Sequence, residues 1–107
     1  MTQNSASVRH NSSQCRYELE LEGSVCGSAS YVDDGDRQIF THTEIDDSLE
    51  GRGLGSLLLR ESLEDARRRG KRVVPQCPFV ASYIERHPEW NEIVEMPDAA
   101  SREEGQG

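Results

Sequence analysis

The sequence predicts an α/β domain built on a mixed sheet, and three observations carry that expectation. Residues 16–22, 25–32 and 37–45 alternate side by side in the period of half-buried strands. Short turn-forming clusters separate these three runs, so they join as an antiparallel three-strand meander. After residue 50 the apolar period lengthens from two to about 3.6, that of a helix.

In the first run Tyr17, Leu19 and Leu21 share one face and Glu18, Glu20 and Glu22 the other. Gly23-Ser24 turns the chain into residues 25–32, where small side chains stand on both faces. Asp33-Asp34-Gly35-Asp36 makes the second turn, combining side chains that hydrogen-bond locally with a glycine that accepts positive φ. In the third strand, alternation assigns Ile39, Thr41, Thr43 and Ile45 to one face and Phe40, His42 and Glu44 to the other. Leu54, Leu57, Leu58, Ser62 and Asp65/Ala66 trace a helix over 53–69, closed by Arg67, Arg68, Arg69 and then Gly70. Residues 71–77 read as a short strand broken by Pro75. A second helix starts at Pro78, carries Phe79, Val80, Tyr83 and Ile84 inward, and ends at His87-Pro88. The expected order is β-β-β-α-β-α.

Residues 1–15 and 97–107 lack apolar periodicity and are rich in polar residues, which predicts a disordered N-terminal tail and a disordered, acidic C-terminal one. Residues 16–96 are then the folding unit, close to the smallest size that sustains an unstapled core.

Twelve Lys and Arg against twenty Asp and Glu leave a net charge of −8. That balance argues against nucleic acid as the main partner, because binding phosphates needs a positive surface. It suits a cationic substrate such as an amine, and it equally serves solubility. No apolar run approaches the ~20 residues that span a bilayer, so no membrane partner is expected. The N-terminus also lacks the basic-then-apolar pattern of a secretory signal. Cys15, Cys26 and Cys77 are odd in number and far apart, which suggests neither a disulfide framework nor a metal site. A reduced, cytoplasmic setting is expected.

Chemistry concentrates in Glu50-Gly51-Arg52-Gly53-Leu54-Gly55-Ser56, between a strand and a helix. Alternate glycines let the backbone turn sharply and approach a ligand. The helix N-terminus beyond them offers unpaired N–H groups and a positive dipole end, which suit a phosphate or pyrophosphate. A dinucleotide fingerprint would need glycine where Ser56 stands, and a Walker loop would need a Lys that is absent. The alternative is that these glycines only turn the chain.

Together with the order of elements, these residues resemble the GNAT-type N-acetyltransferases, and among them the minimal YjdJ-type branch. The resemblance rests on His42-Thr43-Glu44-Ile45, the loop from Gly51 to Gly55, Cys77-Pro78-Phe79-Val80, and His87-Pro88-Glu89-Trp90, in that order over residues 16–92. It implies an acetyl-CoA-dependent transfer to an amine, either a small molecule or on a peptide or protein. Glu50 departs from the wider pattern, which has Gln or Arg there, so Arg52 is left to supply the local positive charge. Gly23-Ser24 stands where larger relatives insert helices that shape the acceptor site, so that site is expected to be open.

On this reading the backbone of Gly53, Leu54, Gly55 and Ser56 holds the pyrophosphate, and the pantetheine arm pairs with backbone around Ile45. His42 is the candidate general base, its ordinary pKa lying near 6.5. Cys77, just before a helix N-terminus, is a candidate acetyl carrier, or a wall of the acceptor pocket. Tyr83 is a candidate acid for the departing thiolate. Each has a purely structural alternative: a hydrogen bond on a strand face for His42, an inert buried thiol for Cys77, core packing for Tyr83. Phe79 and Trp90 are expected in the core, and the basic run of Arg67 to Arg72 on a solvated helix end. Two other functions remain: a non-catalytic CoA- or acyl-CoA-binding module, and a small interaction protein without CoA.

Overall fold

In the computed structural model, which describes residues 6–47 and 53–95, the order is β1 (Ala6–Asn11), β2 (Arg16–Leu21), β3 (Ser24–Asp34), β4 (Arg37–Ile45), α1 (Leu54–Arg68), β5 (Arg72–Pro75) and α2 (Pro78–Arg86). The strands form one mixed sheet in the order β1-β2-β3-β4-β5, with β1 to β4 antiparallel and β5 parallel to β4. Tyr17, Leu19, Ala29, Tyr31, Phe40 and Val73 share the inner face, buried with α1 and α2 in one cluster. From the helices come Leu58, Leu59, Leu63, Val80 and Ile84. No helix among the described residues is long and apolar enough to cross a membrane.

Two sequence expectations need correction. Residues 6–15 are not a tail: Ala6–Asn11 is an edge strand paired with β2, followed by a 3₁₀ turn at Ser12–Gln14. Its inward positions hold Ala6, Val8 and His10, and that single large aliphatic residue leaves little periodic signal. Residues 1–5 and 96–107, including the expected C-terminal tail, lie outside the described residues.

The second correction is one of faces. Ser30 pairs with His42 and Tyr31 with Phe40, so Thr41 is an extra residue, a β-bulge. One inserted residue reverses the alternation beyond it. Phe40 therefore shares the inner face with Thr43 and Ile45, which pair with Ala29 and Gly27, while His42 and Glu44 point to the outer face.

His10 anchors β1 to α1. Its ring stacks on Tyr17 at 4.4 Å, Nε2 meets the Tyr31 hydroxyl at 2.6 Å, and Nδ1 lies 3.4 Å from Asp65 Oδ2. Tyr17 and Arg69 also bond Asp65, at 2.9 and 2.6 Å. Burial lowers the pKa of His10 from 6.5 and outweighs the opposing pull of Asp65. The folded chain therefore binds fewer protons here than the unfolded one, and stability present above pH 6.5 is lost as pH falls below it. Urea unfolding at pH 7.5 and 5.5 is expected to show a smaller pH loss in His10→Phe than in the parent. Equal losses in both would refute the role of His10.

β5 is short for a covalent reason. Pro75 is the last residue paired with β4, opposite Phe40, and it has no N–H with which to extend the ladder. The final link is Cys77 N–H to Phe40 O at 2.8 Å, after which the chain enters α2. β4 runs on to Ile45 paired with β3 and no longer with β5, so β4 and β5 part. After α2 the chain returns beside β5, with Val73 N–H donating to Ile93 O and Glu95 N–H to Val73 O, both at 2.8 Å.

Candidate active site

The parting of β4 from β5 opens a cleft of about 970 Å³. Thr43 and Ile45 line it from β4, Gly53, Leu54 and Gly55 from the start of α1, and Phe79 from α2. Asp46 N–H donates to Cys26 O at 2.8 Å, so Asp46 faces β3. The alternation of an antiparallel ladder then turns Glu44 to β3 as well, and directs the backbone N–H and C=O of Thr43 and Ile45 into the cleft. These are strand-edge groups with no strand beside them among the described residues.

At the other wall, α1 begins without a side-chain cap. Gly53 occupies the cap position at φ 74°, and the first helical bond runs from Leu57 N–H to Gly53 O. The N–H groups of Leu54, Gly55 and Ser56 consequently have no intrahelical acceptor, and no acidic side chain stands in the first turn. The positive end of the helix dipole therefore opens onto the cleft. Gly53 is there for its left-handed conformation. Gly55 has another reason: a Cβ on it would sit 2.9 Å from Phe79 Cζ, so its bareness lets α2 close over the helix start.

That contact yields a prediction. Ala is favoured over Gly inside a helix by roughly 0.5–1 kcal/mol. In the parent, Gly55→Ala is expected to be near neutral in urea denaturation, the propensity gain being offset by displacement of the Phe79 ring. In a Phe79→Ala background the same change should stabilise by that roughly 0.5–1 kcal/mol. Identical effects in both backgrounds would show that the ring does not need the glycine.

The remaining candidates sit at different depths. Cys77 is 5% exposed, and its thiol donates to Thr43 Oγ1 at 3.4 Å, placing it behind the cleft wall. His42 lies on the opposite face of β4 from Thr43, exposed, with Nε2 2.9 Å from Glu44 Oε2. Glu44 itself lines the cleft, which links the two faces. Tyr83 is buried in the core and stacked on His87 at 4.2 Å. Burial raises its pKa. Ser56 is exposed at the helix start, while Glu50, Gly51 and Arg52 fall outside the described residues.

Sequence reasoning missed Thr43, Glu44 and Phe79 as site residues. Phe79, expected in the core, is 42% exposed and forms a cleft wall. Thr43 and Glu44 stood beside His42 in the quoted motif, on opposite faces, but the bulge that decides which of those faces is shared with Phe40 has no sequence signal. Trp90 is buried as expected. The basic run stands away from the cleft and is ion-paired: Arg67 with Glu64, Arg68 and Arg69 with Asp65, Lys71 with Asp33. Acidic residues border the cleft instead, at Glu44, Asp46 and Asp47, with Arg16 as the basic exception among the described lining residues.

The site therefore lies in a mixed α/β fold, where the parallel pair of the sheet splays beside an uncapped helix start. The sequence matches the family described as GCN5-related N-acetyl-transferase over residues 16–93. The chain belongs to the GCN5-related N-acetyltransferase family. Among solved structures it is similar to a GCN5-like protein of Staphylococcus aureus determined by NMR in solution. The TM-score is 0.66 at 18% identity, covering 92% of this chain and 96% of that one, a likeness of fold. No curated protein matches the chain.

Proposed function

We infer that the protein transfers the acetyl group of acetyl-CoA to a cationic primary amine in the cleft between β4 and α1. The observation that carries this reading is the meeting, in one cleft, of two backbone arrays that have no partner among the described residues. The N–H groups at the start of α1 suit the pyrophosphate, assisted by Arg52. The strand edge at Thr43 and Ile45 suits the amide-bearing pantetheine arm, which pairs as a missing strand would. The acidic border of Glu44, Asp46 and Asp47 favours an acceptor that arrives positively charged.

A cationic amine first gives one proton to solvent; its neutral nitrogen then bonds to the thioester carbon and gives up a second proton, while the C–S bond breaks to release a thiolate that takes up a proton. The second of the amine's protons is assigned to His42, on the outer side of β4. A positioned base contributes roughly 10²–10⁴ in rate. Tyr83, held protonated by burial, is the proposed donor to the thiolate. Cys77 either carries the acetyl group in passing or shapes the cleft through Thr43. A reduced cytoplasmic setting keeps its thiol available for either task.

Titration calorimetry with acetyl-CoA, followed by an assay of acetyl transfer to poly-L-lysine, tests the reading. Binding followed by transfer supports it. Binding without transfer to any amine would leave a CoA-binding module, and a folded protein that binds no acetyl-CoA would overturn both. Intact-protein mass after incubation separates the two routes: an acetyl adduct lost in Cys77→Ala marks the covalent one.

A further inference from the structure

We propose that Glu44 is a positioning residue for His42, holding the imidazole proton on Nε2 so that Nδ1 receives the proton of the incoming amine. What His42 does rests on the acetyl-transfer reading; how it is held rests on geometry alone. The two residues stand two apart on β4, hence on one face, and the bulge at Thr41 makes this the face away from the helices. His42 Nε2 and Glu44 Oε2 are 2.9 Å apart. An ionised carboxylate only accepts, so the contact is a hydrogen bond only when Nε2 carries the hydrogen. A neutral imidazole in that tautomer has its one lone pair for protons at Nδ1.

The surroundings leave this pair to itself. Ser30 stands opposite His42 and Ser28 opposite Glu44, both neutral. One strand further, Arg16 is bonded to Glu18 at 2.8 Å, and on β1 Arg9 lies 3.0 Å from Glu20. Both partners of the His42–Glu44 pair are largely exposed, and exposed ion pairs add little to stability, so holding the fold together is a poor account of it. Proton transfer is a better one. As the amine nitrogen bonds to the acetyl carbon, its proton moves to Nδ1, and the imidazolium so formed keeps its Nε2–H on the Glu44 carboxylate. Glu44 also lines the cleft, so the pair bridges the outer face and the site of the proposed chemistry.

Long-range ¹H–¹⁵N spectra of the histidine-labelled protein read the tautomer directly, and transfer to poly-L-lysine reads its consequence. The parent should show His42 protonated at Nε2, with that preference lost in Glu44→Ala. In the same variant kcat at saturating amine should fall about tenfold while KM for acetyl-CoA stays unchanged, since Glu44 bears on the base and the amine and not on the groups proposed to hold CoA. Glu44→Gln, whose amide oxygen still accepts, should keep the tautomer and recover part of the rate. A proton on Nδ1 in the parent, the same tautomer in Glu44→Ala, or an undiminished kcat there would each overturn the proposal. Should the parent transfer nothing to poly-L-lysine, the acetyl-transfer reading falls, and the role of Glu44 in placing the proton is still decided by the spectra.

Discussion

Ser56→Glu is expected to leave the protein folded, with an unchanged or slightly raised Tm, while weakening acetyl-CoA binding about tenfold to a hundredfold. The two effects have opposite signs because one field produces both. Ser56 is exposed in the first turn of α1, where the dipole is positive and no acidic side chain stands. A carboxylate there gains about 0.3–1 kcal/mol from the helix end. It also occupies the position, and repels the charge, of a pyrophosphate seated on the N–H groups of Leu54, Gly55 and Ser56. Ser56→Gln, similar in size and neutral, should keep most of the affinity, and salt should narrow the gap between the two variants. Calorimetry with thermal melts of all three proteins checks this. Equal affinities for Glu and Gln variants would place the phosphates elsewhere.

The helix start was legible because its signal is local. Alternate glycines, an apolar stripe at 3.6-residue spacing and a closing Arg run with Gly70 are all contained in one stretch of sequence. The three central strands were legible for the same reason, and Pro75 correctly marked where β5 stops. What escaped depends on partners distant in sequence. The bulge at Thr41 exists only relative to β3, so strict alternation placed Phe40 with His42 when it belongs with Thr43. Phe79 looks like a core residue on α2, and only its approach to Gly55 makes it a cleft wall. Cys77 and Thr43 are joined across 34 residues by a single thiol hydrogen bond. The glycine loop could therefore be named from sequence, whereas the faces to which His42 and Thr43 belong could not.

Removing residues 1–11 is expected to cost about 3–6 kcal/mol, a large part of the roughly 5–15 kcal/mol that holds a domain folded. Composition alone would make this deletion harmless, because the segment reads as a polar tail. The structure makes it a strand with three separate attachments. Val8 packs against the core opposite Leu19, and losing a buried aliphatic of its size is worth up to about 1.5–3 kcal/mol. His10 covers Tyr17 and ties Tyr31 to Asp65. Asn11 bonds Glu18, a carboxylate only 3% exposed, at 3.1 Å, and a hydrogen bond to a charged group contributes about 1.5–3 kcal/mol. Hydrogen bonds from Arg16 and then Asn11 hold the pKa of Glu18 below its usual 4.5, so stability drawn from it is present above that pH and lost as pH falls through the lowered value. The shortened chain loses the Asn11 share of that term and leaves β2 as a bare sheet edge. Urea denaturation of the parent and the shortened chain at pH 7 measures the loss. Of the described cleft-lining residues Arg16 alone pairs with the deleted strand, and the start of α1 and the free edge of β4 do not touch it, so shortened protein that remains folded should bind acetyl-CoA with near-parental affinity. Equal urea midpoints for the two chains would return residues 6–11 to the status of a tail.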